Sequence, residues 1–169
     1  MKGRLLIFFA VVVAIFSCKH KSDFKTLPGS IQVKLIDDKG APKAKVGDHL
    51  KLNLAYYTDA DSLLYSSTKK NKNGIEVPVM KPQFNGDLME GFTCLGTGDS
   101  AVFRISVDSF FKHGNMPAFF KPGQFMKVTA KCMNHYSSSE YKLKLRADSL
   151  KQISKDDSLI QDYISKKHY

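Results

Sequence analysis

Tryptophan is absent from the 169 residues, so no indole can contribute to a core or to a binding face. Cysteine is scarce, with three in all, at Cys18, Cys94 and Cys132. That is too few for a scaffold built on disulfides, and the fold has to rest on an apolar core. The five histidines, His20, His49, His113, His135 and His168, are dispersed, and no metal site and no cofactor is expected. Ser66-Ser67 and Ser137 to Ser139 read as turn and cap residues rather than nucleophiles, and Asp59, Asp61 and Asp108 as turn and cap carboxylates. Arginine-rich runs are missing, as are basic motifs interleaved with aromatics. The formal charge of +10 comes from lysines spread along the chain, so nucleic acid is not an expected partner. There is no internal repeat and no long low-complexity run.

Long apolar runs are limited to one. Leu5 to Phe16 is twelve uninterrupted apolar residues behind a basic start at Lys2 and Arg4. It is short of the roughly 20 residues of a spanning helix and suits the hydrophobic region of an export signal. The run ends at Ile15-Phe16-Ser17-Cys18, which resembles a bacterial lipobox. By that resemblance residues 1–17 are a lipoprotein signal peptide and Cys18 becomes the lipidated first mature residue. Removal of Lys2 and Arg4 with the signal leaves a charge of +8. Each buried acyl CH₂ contributes about 0.8 kcal/mol, so several chains hold a soluble domain at a membrane. The expected location is the cell envelope, lipid-anchored and periplasm-facing, with Lys19, His20 and Lys21 against anionic headgroups. An ordinary cleaved signal with an incidental cysteine is the alternative.

Residues 18–28 read as a tether. Beyond it Ile31, Val33 and Leu35 alternate with polar residues, and so do Leu50, Leu52 and Leu54 in a strand that continues into Tyr56. Leu63 to Ser67 is a further strand, and Thr68 to Gly74 a solvated loop. Met89 to Leu95 reads as a short helix, broken by Gly96-Thr97-Gly98-Asp99 and followed by a strand with Ala101, Phe103 and Ile105 on one face. After Ile105, Asp108-Ser109 and His113 to Pro122 form an irregular loop carrying Met116, Pro117, Phe119 and Phe120. Met126, Val128, Ala130 and Cys132 form the last alternating strand, with Cys132 inward and Cys94 pointing away. Many antiparallel strands with one helix give an α+β domain, a bent antiparallel sheet wrapped on a short helix. From Ser137 the character changes. Ser137 to Glu140 is a helix start, and Ala147, Leu150, Ile153, Ile160 and Ile164 lie on one stripe of an amphipathic helix with a break expected near Asp156-Asp157.

The segment Pro82 to Ile105, a short helix dropped through a glycine turn into a long strand, resembles the core of FKBP-type peptidyl-prolyl cis-trans isomerases. Gly86-Asp87, Glu90-Gly91, Leu95, Gly98-Asp99-Ser100-Ala101, Phe103 and Asp108-Ser109-Phe110 follow a phrase of the lipoprotein FKBP-like domains of Bacteroidetes-type bacteria. The resemblance implies an FKBP-like domain over 29–135 and a helical C-terminal extension over 137–169. It also implies a proline-binding pocket. At the position of the family's rim tyrosine stands Leu54, and its Phe-Asp pair is replaced by Leu64-Tyr65. Leu88 stands for the floor tryptophan, Phe111 for a second tyrosine and Val128 for a late-strand phenylalanine. Phe84 and Phe120 keep the apolar wall. The cup is therefore expected to be apolar with a stripped polar rim.

Prolyl isomerisation makes and breaks no covalent bond, so the lack of a triad or metal cluster does not oppose it. The barrier is the amide's partial double bond, roughly 18–20 kcal/mol. A dry apolar cup that favours the twisted, less polar amide lowers it. Three readings follow from the resemblance. One is a weak, lipid-anchored peptidyl-prolyl isomerase assisting folding in the envelope. Another is a non-catalytic FKBP-like chaperone or peptide-binding module. The third is the first half of a tandem protein, acting in assembly. The expected partners are unfolded or proline-containing polypeptides, and the membrane through Cys18.

Overall fold

In the computed structural model the described residues are 23–69, 71–112 and 114–167, so the signal segment and Cys18 lie outside them. Seven strands run β1 (Lys25–Thr26), β2 (Gln32–Asp37), β3 (His49–Thr58), β4 (Leu63–Ser66), β5 (Ile75–Pro78), β6 (Ser100–Ser106) and β7 (Phe125–Tyr136). Among the described residues a 3-10 turn (Ser67–Lys69) and the helices α1 (Leu88–Phe92) and α2 (Val107–Phe110) lie between strands, and α3 (Ser138–Lys167) follows the last. The sheet order is β1-β2-β6-β7-β3-β4, all antiparallel, with β5 on β3. This is the α+β architecture expected from the alternation.

Period-two patterning assigns the faces. Leu50, Leu52 and Leu54 of β3, Ala101, Phe103 and Ile105 of β6, and Met126, Val128, Ala130 and Cys132 of β7 all point to one buried side. Helix α1 closes that side. Asp87 caps it, its carboxylate accepting the Met89 amide at 3.1 Å. Phe92 then meets Phe103 edge-on, 6.2 Å between centroids. A Cβ at Gly91 would stand 2.7 Å from the Phe103 ring, so only glycine lets the helix approach so closely. Glu90 reaches back, both carboxylate oxygens accepting the Gly29 amide at 3.0 and 2.9 Å.

The turn from α1 into β6 is organised by Asp99, which has no solvent exposure. Its carboxylate accepts the Lys39 amide at 2.8 Å, the Gly96 amide at 2.6 Å and the Lys43 ammonium at 2.8 Å. Its carbonyl accepts the Cys132 amide at 2.8 Å. Gly96 is required on steric grounds as well, since a Cβ there would lie 2.6 Å from the Pro42 carbonyl oxygen.

Several elements differ from the sequence expectation. β1 falls inside the stretch read as tether, and β5 inside a stretch given no element. A two-residue strand shows no period, and in β5 only Ile75, Glu76 and Val77 alternate before Pro78. α2 occupies residues read as loop. α3 runs unbroken through Asp156-Asp157 and buries none of its residues. Acids at consecutive positions on a solvated helix face cost little, so nothing forces a break. The helix starts as read, with a reciprocal capping box: the Ser137 hydroxyl accepts the Glu140 amide at 3.3 Å and Glu140 accepts the Ser137 amide at 2.7 Å. Cys132 is buried, Cys94 half-buried, and both are free thiols.

Burial pushes the Asp99 carboxyl up, but the Lys39 amide, the Lys43 ammonium and the Gly96 amide outweigh it and hold it below the ordinary range. A lowered carboxyl stabilises the fold fully above the unfolded value near 4, and that stability is lost as pH falls through the folded value. Asp99→Ala strands two amides and is expected to cost about 3 kcal/mol in urea unfolding at pH 7. The variant's stability should also fall less steeply than wild type below about pH 4. A loss under about 1 kcal/mol would contradict this role.

Candidate functional site

Past Leu54 the inward face of β3 continues with Tyr56, one pleat further along. Tyr56 begins a run of six rings drawn from four parts of the chain. Tyr65 of β4 stands edge-on to it at 5.7 Å, and Phe110 of α2 lies at 6.3 Å. Phe110 meets Phe111 edge-on at 5.0 Å, Phe111 meets Phe120 at 5.8 Å, and Phe120 meets Phe119 at 4.8 Å. Such offset and edge-on pairs contribute about 0.5–1.5 kcal/mol each beyond area burial.

The loop that brings Phe119 and Phe120 into this run is pinned at its base. Asp108 of α2 accepts the Gly123 amide at 2.7 Å, and the Gln124 carbonyl accepts the Val107 amide at 3.0 Å. Within the loop the Phe120 amide donates to the Pro117 carbonyl at 2.9 Å. Asp108 thus clamps α2 to the far end of the loop rather than capping its own turn. Asp59 and Asp61 sit in the turn between β3 and β4, where they also make ion pairs, with Arg104 at 3.4 Å and with Lys127.

Two hollows of about 320 Å³ each flank the rings, and a wider one of about 420 Å³ lies beyond Phe119 and Phe120 against Thr58, Asp59, Ala60 and Gln124. Of the flanking two, one is lined by Tyr56, Leu64, Tyr65, Phe110, Phe111, Pro117, Phe119, Phe120 and Met126. The other is lined by Leu54, Tyr56, Ile75, Val77, Phe84, Asp87, Leu88, Met89, Phe92 and Phe110. Tyr56 and Phe110 belong to both and form the ridge between them. A further hollow of about 340 Å³ opens around Asn53, Tyr57, Thr129 and Lys131, and the run of rings does not reach it.

The residues nominated from sequence divide accordingly. Leu64, Tyr65, Phe111 and Phe120 meet in the first hollow, and Leu54, Phe84 and Leu88 in the second. Val128 is fully buried in the core and lines neither. Sequence reasoning did not nominate Tyr56, Phe110 or Met126. Tyr56 was within reach of the period-two rule, since it shares the face of Leu54. Phe110 had no such signal, because a four-residue helix shows no period.

Polar groups at the rim are few. Asp87 borders the second hollow, but its carboxylate is engaged by the Met89 amide and, at 2.8 Å, by the Gln83 amide. Burial, and then the neighbouring Tyr65, push the Tyr56 phenol above its ordinary pKa, so it remains a neutral hydroxyl at physiological pH. Burial likewise drives the Cys132 thiol up to about 11 and makes it inert. Among the described residues no group of three or more histidine, cysteine or acidic side chains is placed to hold a metal.

No family model matches the chain, and no curated protein matches it in sequence. Solved structures do. The peptidyl-prolyl cis-trans isomerase PPIase from Pseudomonas syringae pv. tomato aligns with a TM-score of 0.56 at 12% identity, over 70% of this chain and 85% of that one. FkpA from Escherichia coli also gives 0.56, at 11% identity over 70% of this chain and 54% of FkpA, so the match spans about half of that protein. The N-terminal domain of FKBP42 from Arabidopsis thaliana gives 0.53 at 14% identity, over 68% and 92%. At these identities the likeness is one of fold. The chain has an FKBP-like fold.

The two phenylalanines of the loop differ sharply in exposure, at 61% for Phe119 and 6% for Phe120. Phe120→Ser is expected to cost about 3–5 kcal/mol in urea unfolding. Phe119→Ser should change stability by less than about 0.5 kcal/mol. Equal losses would show that the loop does not pack as described.

Proposed function

We propose that the twin apolar hollows bind proline-containing segments of unfolded polypeptides, and that the protein is a weak FKBP-type peptidyl-prolyl isomerase assisting folding in the cell envelope. The observation that carries this reading is the continuous run of rings from Tyr65 to Phe119, with Tyr56 and Phe110 shared by both hollows. A proline ring fits an aromatic-walled hollow, and the planar amide before it is the more polar form. Excluding water there favours the twisted form, which is the transition state. Tyr56 supplies a neutral hydroxyl able to donate to the substrate carbonyl. The carboxylate that borders the site, Asp87, is occupied in capping α1, which leaves the polar rim thin and the catalysis weak.

The fold likeness supports the same reading, because the Pseudomonas syringae structure bears the name of a peptidyl-prolyl cis-trans isomerase. The N-terminal sequence supports envelope attachment through a lipid on Cys18. Radiolabelled palmitate should enter the wild-type chain in cells and not Cys18→Ala; equal labelling would refute the anchor. A non-catalytic chaperone reading rests on one feature, the exposure of Phe119 at the mouth of the first hollow.

A protease-coupled assay on an Ala-Pro peptide separates the two. The full chain is expected to raise the isomerisation rate measurably. Tyr56→Phe should weaken peptide binding about five- to tenfold and lower the acceleration at sub-saturating peptide in step, the consequence of one lost hydrogen bond. Binding without acceleration at high protein concentration would leave the chaperone reading, and neither binding nor acceleration would dismiss both.

A further inference from the structure

Helix α3 is 30 residues long, about 45 Å by helix geometry, and buries nothing. Only its first turns touch the domain. Tyr141 stacks on His49, 3.6 Å between centroids and 7° from parallel, and its hydroxyl donates to Glu76 at 2.9 Å. Lys144 pairs with Glu76 at 2.8 Å. From there the helix runs out with Leu150 at 62% exposure, Ile153 at 57% and Ile160 at 55%.

The exposed apolar residues follow a spacing of four and three. Leu143, Leu150, Asp157 and Ile164 fall seven apart, and Arg146, Ile153 and Ile160 fall three after the first three of these. That is the a/d seam of a coiled coil, sustained from Leu143 to Ile164 and interrupted only by one arginine at d and one aspartate at a. Tyr141 and Lys144, which fasten the helix to the domain, fall at f and b, on the side away from the seam. Docking on the domain therefore leaves the seam free.

We propose that the seam is covered by α3 of a second copy of this chain, lying antiparallel about a two-fold axis between Lys151 and Gln152. In antiparallel coiled coils a positions face d positions of the partner helix. About this axis Leu143 faces Ile160 and Leu150 faces Ile153, each twice by symmetry. The same register sets Arg146 of each helix opposite Asp157 of the other. Both polar interruptions of the seam are then paired, and every apolar position between them meets an apolar one. In a parallel dimer arginine would face arginine and aspartate would face aspartate, with the repulsion that implies. An anionic lipid surface is a poor occupant for the same reason, because Asp156 and Asp157 stand in the middle of the stripe. A polar pair in such a seam lowers its stability but fixes orientation and register. The inference does not depend on what the apolar hollows bind.

Sedimentation of the full chain in excess non-ionic detergent, with the detergent mass subtracted, tests it. Wild type is expected to be a dimer at tens of micromolar. Arg146→Asp and Asp157→Arg place like charges opposite each other twice, and each should weaken self-association by roughly a hundredfold. The double reversal, Arg146→Asp with Asp157→Arg, restores both pairs and should restore the dimer. Urea unfolding should show the sheet domain equally stable in all four proteins, since both positions are exposed on α3 and lie outside the domain's core. A monomeric wild type, a dimer indifferent to the single reversals, or a double variant that stays monomeric would each overturn the proposal.

Discussion

Four bonds to one residue decide how this chain is tied together. The Asp99 side chain gathers the loop after β2, through Lys39 and Lys43, and the glycine turn after α1, through Gly96, while its carbonyl holds β7 at Cys132. A buried carboxylate is unfavourable without partners, and here they come from the loop after β2 and from its own glycine turn. The geometry it fixes is the exit of α1 into β6. That exit places Phe92 over Phe103 and sets α1 across the sheet as one wall of the second hollow.

On that frame the ring-lined side is assembled from parts that are individually unremarkable in sequence. β3 and β4 supply Tyr56 and Tyr65, α2 supplies Phe110, and a loop clamped by Asp108 supplies Phe119 and Phe120. The loop is held at its base and open at its tip. Phe120 is packed into the fold and Phe119 is left at the mouth, so one residue anchors the loop while its neighbour meets solvent. A site made this way offers apolar area and ring faces with few charged groups. On the proposed reading, chemistry that needs only a twisted amide suits it.

The long strands were legible because their inward residues alternate without exception: Leu50 to Leu54, Ala101 to Ile105, Met126 to Cys132. The glycine turn and the capping box at Ser137 and Glu140 were legible for the same reason, since their signals are local. β1, β5 and α2 were not, since two to four residues span at most two repeats of the pattern that would betray them. The site was legible only in part. Leu54, Leu64, Tyr65, Phe84, Leu88, Phe111 and Phe120 line the hollows, whereas Val128 turns into the core. Reading one position at a time against a pattern placed a leucine where a hydroxyl was sought. The strand carries that hydroxyl one pleat on, at Tyr56, and no local pattern announces that Phe110 will stand beside it.

The central claim is that the ring-lined hollows are where this protein meets other polypeptides. Titrating isotope-labelled protein with an Ala-Pro peptide, and following the amide resonances, asks this directly. The account expects shifts concentrated at Tyr56, Tyr65, Phe110 and Phe119. Shifts confined to the opposite hollow around Asn53, Thr129 and Lys131, or an absence of shifts at millimolar peptide, would contradict it.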